Sequence, residues 1–170
     1  MNFKDYIQDV PDFPAKGIIF RDITPLLEAP EAFRKAANAL LDLVSGQKID
    51  KVVGIESRGF FFAPWLAEQL EAGFVPARKP GKLPRKTARK EYDLEYGTDA
   101  LELHAESIAP GDRVLLHDDV LATGGTAKAV CDLIESLGGE VVQCNFLIEL
   151  EFLNGREKLS GIHCKALISY

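Results

Sequence analysis

Apolar positions along this chain follow two spacings, and segments of each kind take turns. Over 30–44, Phe33, Ala36, Ala37, Leu40, Leu41 and Val44 recur at helical spacing, with Pro30 in front and Gly46 behind. "KVVGI" (51–55) is a short β-branched run that reads as a buried strand. "FFFAPWLAEQLEA" (60–72) carries a wide apolar face and predicts a helix, Pro64 falling in its first turns. "GFVPA" (73–77) predicts a second short strand. Leu101 and Leu103 alternate with Glu102 and His104 over 100–106, the period of a half-exposed strand. "DRVLLH" (112–117) predicts another buried strand, followed by a helix from Thr126 that Gly138 and Gly139 end. A long strand over 140–150 comes next, and "CKALISY" closes the chain.

Strand and helix therefore alternate from 31 to 148, which predicts an α/β fold: a central, mostly parallel twisted sheet flanked by helices. Right-handed crossovers put the loops that follow the strands along one edge, and ligands of such sheets lie at that edge. The segments 56–59, 78–98 and 118–126 are the loops placed there.

Composition narrows the class. At 170 residues the chain fits one domain with a sizeable core. A net charge of −6 argues against general nucleic-acid binding. Cys131, Cys144 and Cys164 cannot all pair within one chain and form no C-x-x-C, which suits reduced thiols in a cytoplasmic protein. No apolar stretch approaches the roughly 20 residues of a membrane helix, and "MNFKDYIQDVPDFP" does not read as a signal peptide. The basic residues are unevenly spread: seven, and no acid, fall between Arg78 and Lys90. A solvated loop is one reading of that run; a lid that neutralises a phosphorylated ligand is the sharper one.

"LLHDDVLATGGTAKA" (115–129) joins two acids to a phosphate cradle. Gly124 and Gly125 allow close backbone approach, and main-chain N–H groups at the next helix's N-terminus would face an anion. Thr123 and Thr126 add hydroxyl donors. Carboxylates repel phosphate, but ionised Asp118 and Asp119 accept hydrogen bonds and so suit the paired hydroxyls of a ribose. A sugar 5-phosphate satisfies both halves. Neither the nucleoside-triphosphate motif nor the dinucleotide motif is present.

This stretch resembles the phosphoribosyl pyrophosphate (PRPP) motif of the type I phosphoribosyltransferases, and other segments resemble the adenine-specific members of that family in "GIESRGFFFAP", "RKPGKLP", "YDLEYG", "DFPAKGIIFRDITPLL" and "LNGREKL". The resemblance implies the type I phosphoribosyltransferase fold over 1–170 as a single domain, with a hood and base-binding segment at 1–30 and a flexible lid at 78–103. It implies purine salvage, in which adenine and PRPP give AMP and pyrophosphate. Asp118 and Asp119 would hold the ribose, and Ala122, Thr123, Gly124, Gly125 and Thr126 the 5-phosphate. Glu56, Ser57, Arg58, Lys79 and Lys82 would face pyrophosphate, with a cis peptide at Glu56–Ser57. Glu95 and Arg58 would be catalytic; Glu95 would support the cationic sugar or move a proton at the purine. Ile18, Ile19, Phe20, Arg21 and Leu150 would contact adenine. Mg²⁺ would be bound mainly through substrate oxygens, and the protein would be a homodimer with no nucleic-acid or membrane partner. His117 stands where the family usually has an aliphatic residue and is expected to be structural. Two alternatives stay open: a phosphoribosyltransferase for another base, and a non-catalytic ligand-binding regulator with the same fold.

Overall fold

The computed structural model describes residues 1–44, 46–93 and 97–170. They fall into two compact units, Met1–Ala39 and Leu40–Tyr170. In the first unit, strands β1 (Gln8–Pro11) and β2 (Ile19–Asp22) form an antiparallel pair. The turn between them is closed by the Gly17 N–H donating to Asp12 Oδ1 at 2.7 Å. Asp22 then accepts from the backbone N–H and the hydroxyl of Thr24, at 2.9 and 2.8 Å, where helix α1 (Thr24–Glu28) begins. Helix α2 (Pro30–Asp42) follows, and its last turn belongs to the second unit.

The second unit continues with β3 (Lys51–Ile55), a 3₁₀ turn at Arg58–Phe61, α3 (Ala63–Gln69) and β4 (Gly73–Ala77). Next come the hairpin strands β5 (Thr87–Asp93) and β6 (Thr98–His104), then β7 (Arg113–Leu121), α4 (Gly125–Ser136) and β8 (Glu140–Glu149). The short α5 (Gly155–Lys158) leads to β9 (Cys164–Ser169). Five strands make one wholly parallel sheet in the order β4-β3-β7-β8-β9. Val114, Leu116, Cys144 and Phe146 on one sheet face pack with Val130, Cys131 and Ile134 of α4 and Leu101 and Leu103 of β6. On the other face, His117 Nδ1 and Asn145 Oδ1 are 2.6 Å apart, and Asn145 donates to the Leu40 carbonyl of α2. Burial pulls the His117 pKa down to about 4, which keeps the ring neutral. This matches the structural role expected of it.

The chain steps outward from β3 to β4, then returns to the opposite side of β3 as β7. That reversal opens a crevice at the carboxyl ends of β3 and β7, the place where sheets of this kind bind ligands.

Four expectations need correction. The strand read as 112–117 runs on to Leu121, because β8 continues the ladder past Asp118 with Phe146, Ile148 and Glu149 as partners. Asp118 and Asp119 therefore lie within a strand rather than at its end. The region 78–98, read as a loop, contains β5, paired residue for residue with β6. The strand read as half-exposed is buried over 100–104, including Glu102 and His104: Leu101 and Leu103 pack with α4 and the main sheet, and Glu102 bridges to Arg78. The helix read as 60–72 splits at Phe62 into the 3₁₀ turn and α3, where Pro64 suits a helix's first turn but not its interior.

Candidate active site

β7 delivers the acid pair. Leu115, Leu116 and His117 are fully buried and anchor the strand in the sheet centre, and the next two residues lie in its carboxyl-terminal half. Asp118 Oδ1 accepts the Asp119 N–H at 2.9 Å. Burial, reinforced by the neighbouring Asp119 charge, pushes the Asp118 carboxyl well above the usual carboxylate range. Burial also raises Asp119, and Arg58 pulls in the opposite direction. Without a ligand, two acids in this position are electrostatically unfavourable, and a set of hydroxyl donors would relieve that.

Beyond the acids the chain turns into the cradle. Gly124 has a φ of 79°, a left-handed conformation that favours glycine, and caps α4. A Cβ on Gly124 would collide with the Gly155 carbonyl oxygen, and a Cβ on Gly155 would collide with the Ala122 carbonyl oxygen. The two glycines thus let the loop and the start of α5 touch backbone to backbone. Ala122, Thr123, Gly124 and Thr126, together with Asp118, line a cavity of about 70 Å³ there.

A second cavity, of about 300 Å³, opens beside the first and shares Asp118 and Thr126 with it. Glu56, Ser57 and Arg58 line it from the loop after β3, Lys79 from the segment after β4, and Tyr92 and Asp99 from the hairpin. The Glu56–Ser57 peptide is cis, as the resemblance implied. Gly59 lets this loop lie against β7: a Cβ there would sit 3.0 Å from both Asp118 Oδ1 and the His117 carbonyl oxygen. Arg58 Nε lies 2.5 Å from Asp119 Oδ2, and Lys79 Nζ is ion-paired with Asp99. Glu56 uses one carboxylate oxygen to accept the Lys79 N–H at 2.9 Å and Arg78 Nε at 3.2 Å. Burial, the largest single influence on Glu56, would raise its pKa, but those two donors together hold it below its usual value.

The structure thus gathers Asp118, Asp119, Ala122, Thr123, Gly124, Thr126, Glu56, Ser57, Arg58 and Lys79 around two adjoining cavities. Gly125 is the first residue of α4. Lys82 is exposed and lines neither cavity. Glu95 lies outside the described residues. In the amino-terminal unit, Ile18 and Ile19 are exposed, and Phe20 meets Phe13 edge-to-face with ring centroids 5.2 Å apart. Arg21 is ion-paired with Asp9. Leu150, in the other unit, donates its N–H to the Leu121 carbonyl at the end of β7. Reading the residues alone did not single out Tyr92, Asp99 or Gly155. Tyr92 and Asp99 face each other only through the hairpin register, whereas "YDLEYG" and "LNGREKL" had marked the segments that hold Tyr92 and Gly155.

Residues 22–164 match the family described as the phosphoribosyl transferase domain. The chain belongs to the phosphoribosyltransferase family. Within the family it is similar to the adenine phosphoribosyltransferase of Christiangramia forsetii, 61% identical over all of this chain and 99% of that one. Among solved structures, the adenine phosphoribosyltransferase of Thermoanaerobacter pseudethanolicus superposes with a TM-score of 0.97. That enzyme is 50% identical, with 99% of this chain and 98% of that one covered. The Saccharomyces cerevisiae enzyme, complexed with an imino-altritol bisphosphate and adenine, gives 0.91 at 41% identity, covering 97% and 96% of the two chains. Family members at these identities share the fold over essentially their whole length.

Proposed function

We infer that this enzyme transfers the phosphoribosyl group of PRPP to adenine, forming AMP and releasing pyrophosphate. The bond from the ribose anomeric carbon to pyrophosphate oxygen breaks, a bond to the adenine ring nitrogen forms, and that nitrogen's proton is lost. One observation carries the reading: the acid pair stands between a small cradle and a larger cation-lined cavity that share Asp118 and Thr126. A 5-phosphate, a ribose diol and a pyrophosphate need those three environments in that order.

The cradle and the acid pair position the sugar and so lower the entropic barrier. Arg58 and Lys79 supply positive potential where charge builds on the leaving pyrophosphate. Among the described residues, no group of three His, Cys, Asp or Glu side chains could hold a metal ion by itself. The carboxylates of Asp118 and Asp119 nevertheless fit a hydrated Mg²⁺ carried on substrate oxygens. Such a cation would offset charge on the leaving pyrophosphate. The adenine contacts of Ile18, Ile19, Phe20, Arg21 and Leu150 and the catalytic role of Glu95 rest on the family resemblance. So do the hood at 1–30 and the lid at 78–103, whose closure would exclude water from the activated sugar. A cytoplasmic homodimer, which also rests on the family resemblance, completes the reading. Among the described residues, no helix is long and apolar enough to cross a membrane.

The test is pyrophosphate release from PRPP with Mg²⁺ and each candidate base in turn. Adenine should be strongly preferred. Equal turnover of hypoxanthine or xanthine would move the assignment to another base, and no release with any base would leave a ligand-binding module.

A further inference from the structure

Both cations that line the larger cavity are engaged by acids that line it too. Asp119, the partner of Arg58, belongs to the ribose site. Asp99, the partner of Lys79, has no role in the reaction as derived above. It sits in β6 directly opposite Tyr92 of β5. Its Oδ1 accepts the Ala100 N–H at 2.8 Å, and its Oδ2 takes both the Tyr92 hydroxyl, at 3.2 Å, and Lys79 Nζ. The Lys79 ammonium also lies 6.0 Å from the centroid of the Tyr92 ring. The Lys79 contact, foremost, lowers the Asp99 pKa, so the carboxylate is charged at neutral pH.

We propose that Asp99 is a positioning residue that competes with pyrophosphate for Lys79 and thereby weakens the enzyme's hold on that product. The inference rests on the functional reading above. Two physical points carry it. After Lys79 turns to a phosphate oxygen, Asp99 keeps the Ala100 N–H and the Tyr92 hydroxyl, so neither of its oxygens is stranded. Its charge also stays at the wall of a cavity that must accept a polyanion, and that repulsion favours release. The Lys79 and Asp99 side chains are about 40% and 28% exposed, so solvent screens the pair and the effect is modest.

The test is calorimetric binding of pyrophosphate at fixed Mg²⁺, without turnover, alongside product inhibition by pyrophosphate. D99N is expected to tighten pyrophosphate about two- to fivefold while the KM for adenine stays unchanged, and D99E is expected to restore the original affinity. D99S serves the same purpose should D99N fold poorly. In a K79A background, D99N is expected to tighten pyrophosphate less, by the lost repulsion alone. Unchanged or weaker binding in D99N, or the same tightening without Lys79, overturns the proposal. Failure of the unsubstituted enzyme to bind pyrophosphate at all instead overturns the functional reading beneath it.

Discussion

The two sides of the reaction site are built from different materials. The cradle side, β7 into α4, is backbone: a left-handed Gly124, a Gly155 pressed against it and the first N–H groups of a helix. The cation side, after β3 and β4, is made of long side chains that already hold acids: Arg58 on Asp119, Lys79 on Asp99 and Arg78 on Glu56. A backbone cradle can fit one shape and has little to rearrange. Paired side chains can exchange partners. On the proposed function the difference follows the chemistry, since the 5-phosphate would stay on the sugar throughout while pyrophosphate would arrive bound and leave free.

The largest effect is expected where the rigid side is broken. Gly124→Val places a branched side chain at positive φ and into the Gly155 carbonyl, and shifting the sugar by an ångström can lower the rate about 100-fold. kcat/KM for PRPP measures it, and a loss below tenfold would show that the cradle is not rigid. Next comes the acid pair between the two sides. Asp118→Asn with Asp119→Asn should weaken PRPP roughly 50-fold by loss of charged hydrogen-bond acceptors. Unchanged PRPP affinity in calorimetry would remove the diol assignment.

The acid pair also has an opposite effect on folding. The folded Asp118 pKa lies above its ordinary 3.8, so the folded state loses stability as pH rises past that value. Asp118→Asn alone should therefore raise the urea midpoint at neutral pH while weakening PRPP. A lowered midpoint would mean that the buried charge is compensated in a way the contacts above do not show.

On the exchangeable side the expected effect is smaller. Arg58→Ala should weaken pyrophosphate and PRPP about tenfold and adenine hardly at all, because a charge-assisted contact is lost from one ligand only. Equal losses for all three ligands would contradict the division between the two sides.

His117 should affect binding least, and its readout is stability. Its folded pKa is depressed from 6.5 to about 4. Between those values the unfolded chain takes up a proton that the folded chain refuses, so stability should fall as pH drops from 6.5 to 4. That loss is up to about 3 kcal/mol, and it is complete below the folded value. His117→Leu should remove this slope while starting about 1–3 kcal/mol lower, because Asn145 loses its partner. Urea unfolding across that pH range measures both, and equal slopes would contradict the assignment.

Much of the rigid side was legible in the residues. Two acids, a Thr-Gly-Gly-Thr turn and apolar runs on either side specify strand, cradle and helix through local chemistry. The end of β7 was misread because Asp disfavours strands, whereas the ladder to β8 continues through partners from Phe146 to Glu149, far downstream in the chain. The exchangeable side was legible only as a run of positive charge. Residues 87–93 show no clean alternation, and the apolar partners that bury β6 come from α4 and the main sheet. Asp99 is an unremarkable acid until the hairpin register sets it against Tyr92 and Lys79.

A crystal structure with AMP and pyrophosphate tests the division most directly. The AMP phosphate is expected on the N–H groups of Thr123–Thr126, the ribose hydroxyls on Asp118 and Asp119, and pyrophosphate on Arg58 and Lys79, with Lys79 turned away from Asp99. An AMP phosphate seated on Arg58 and Lys79, with the cradle left to solvent, would contradict it.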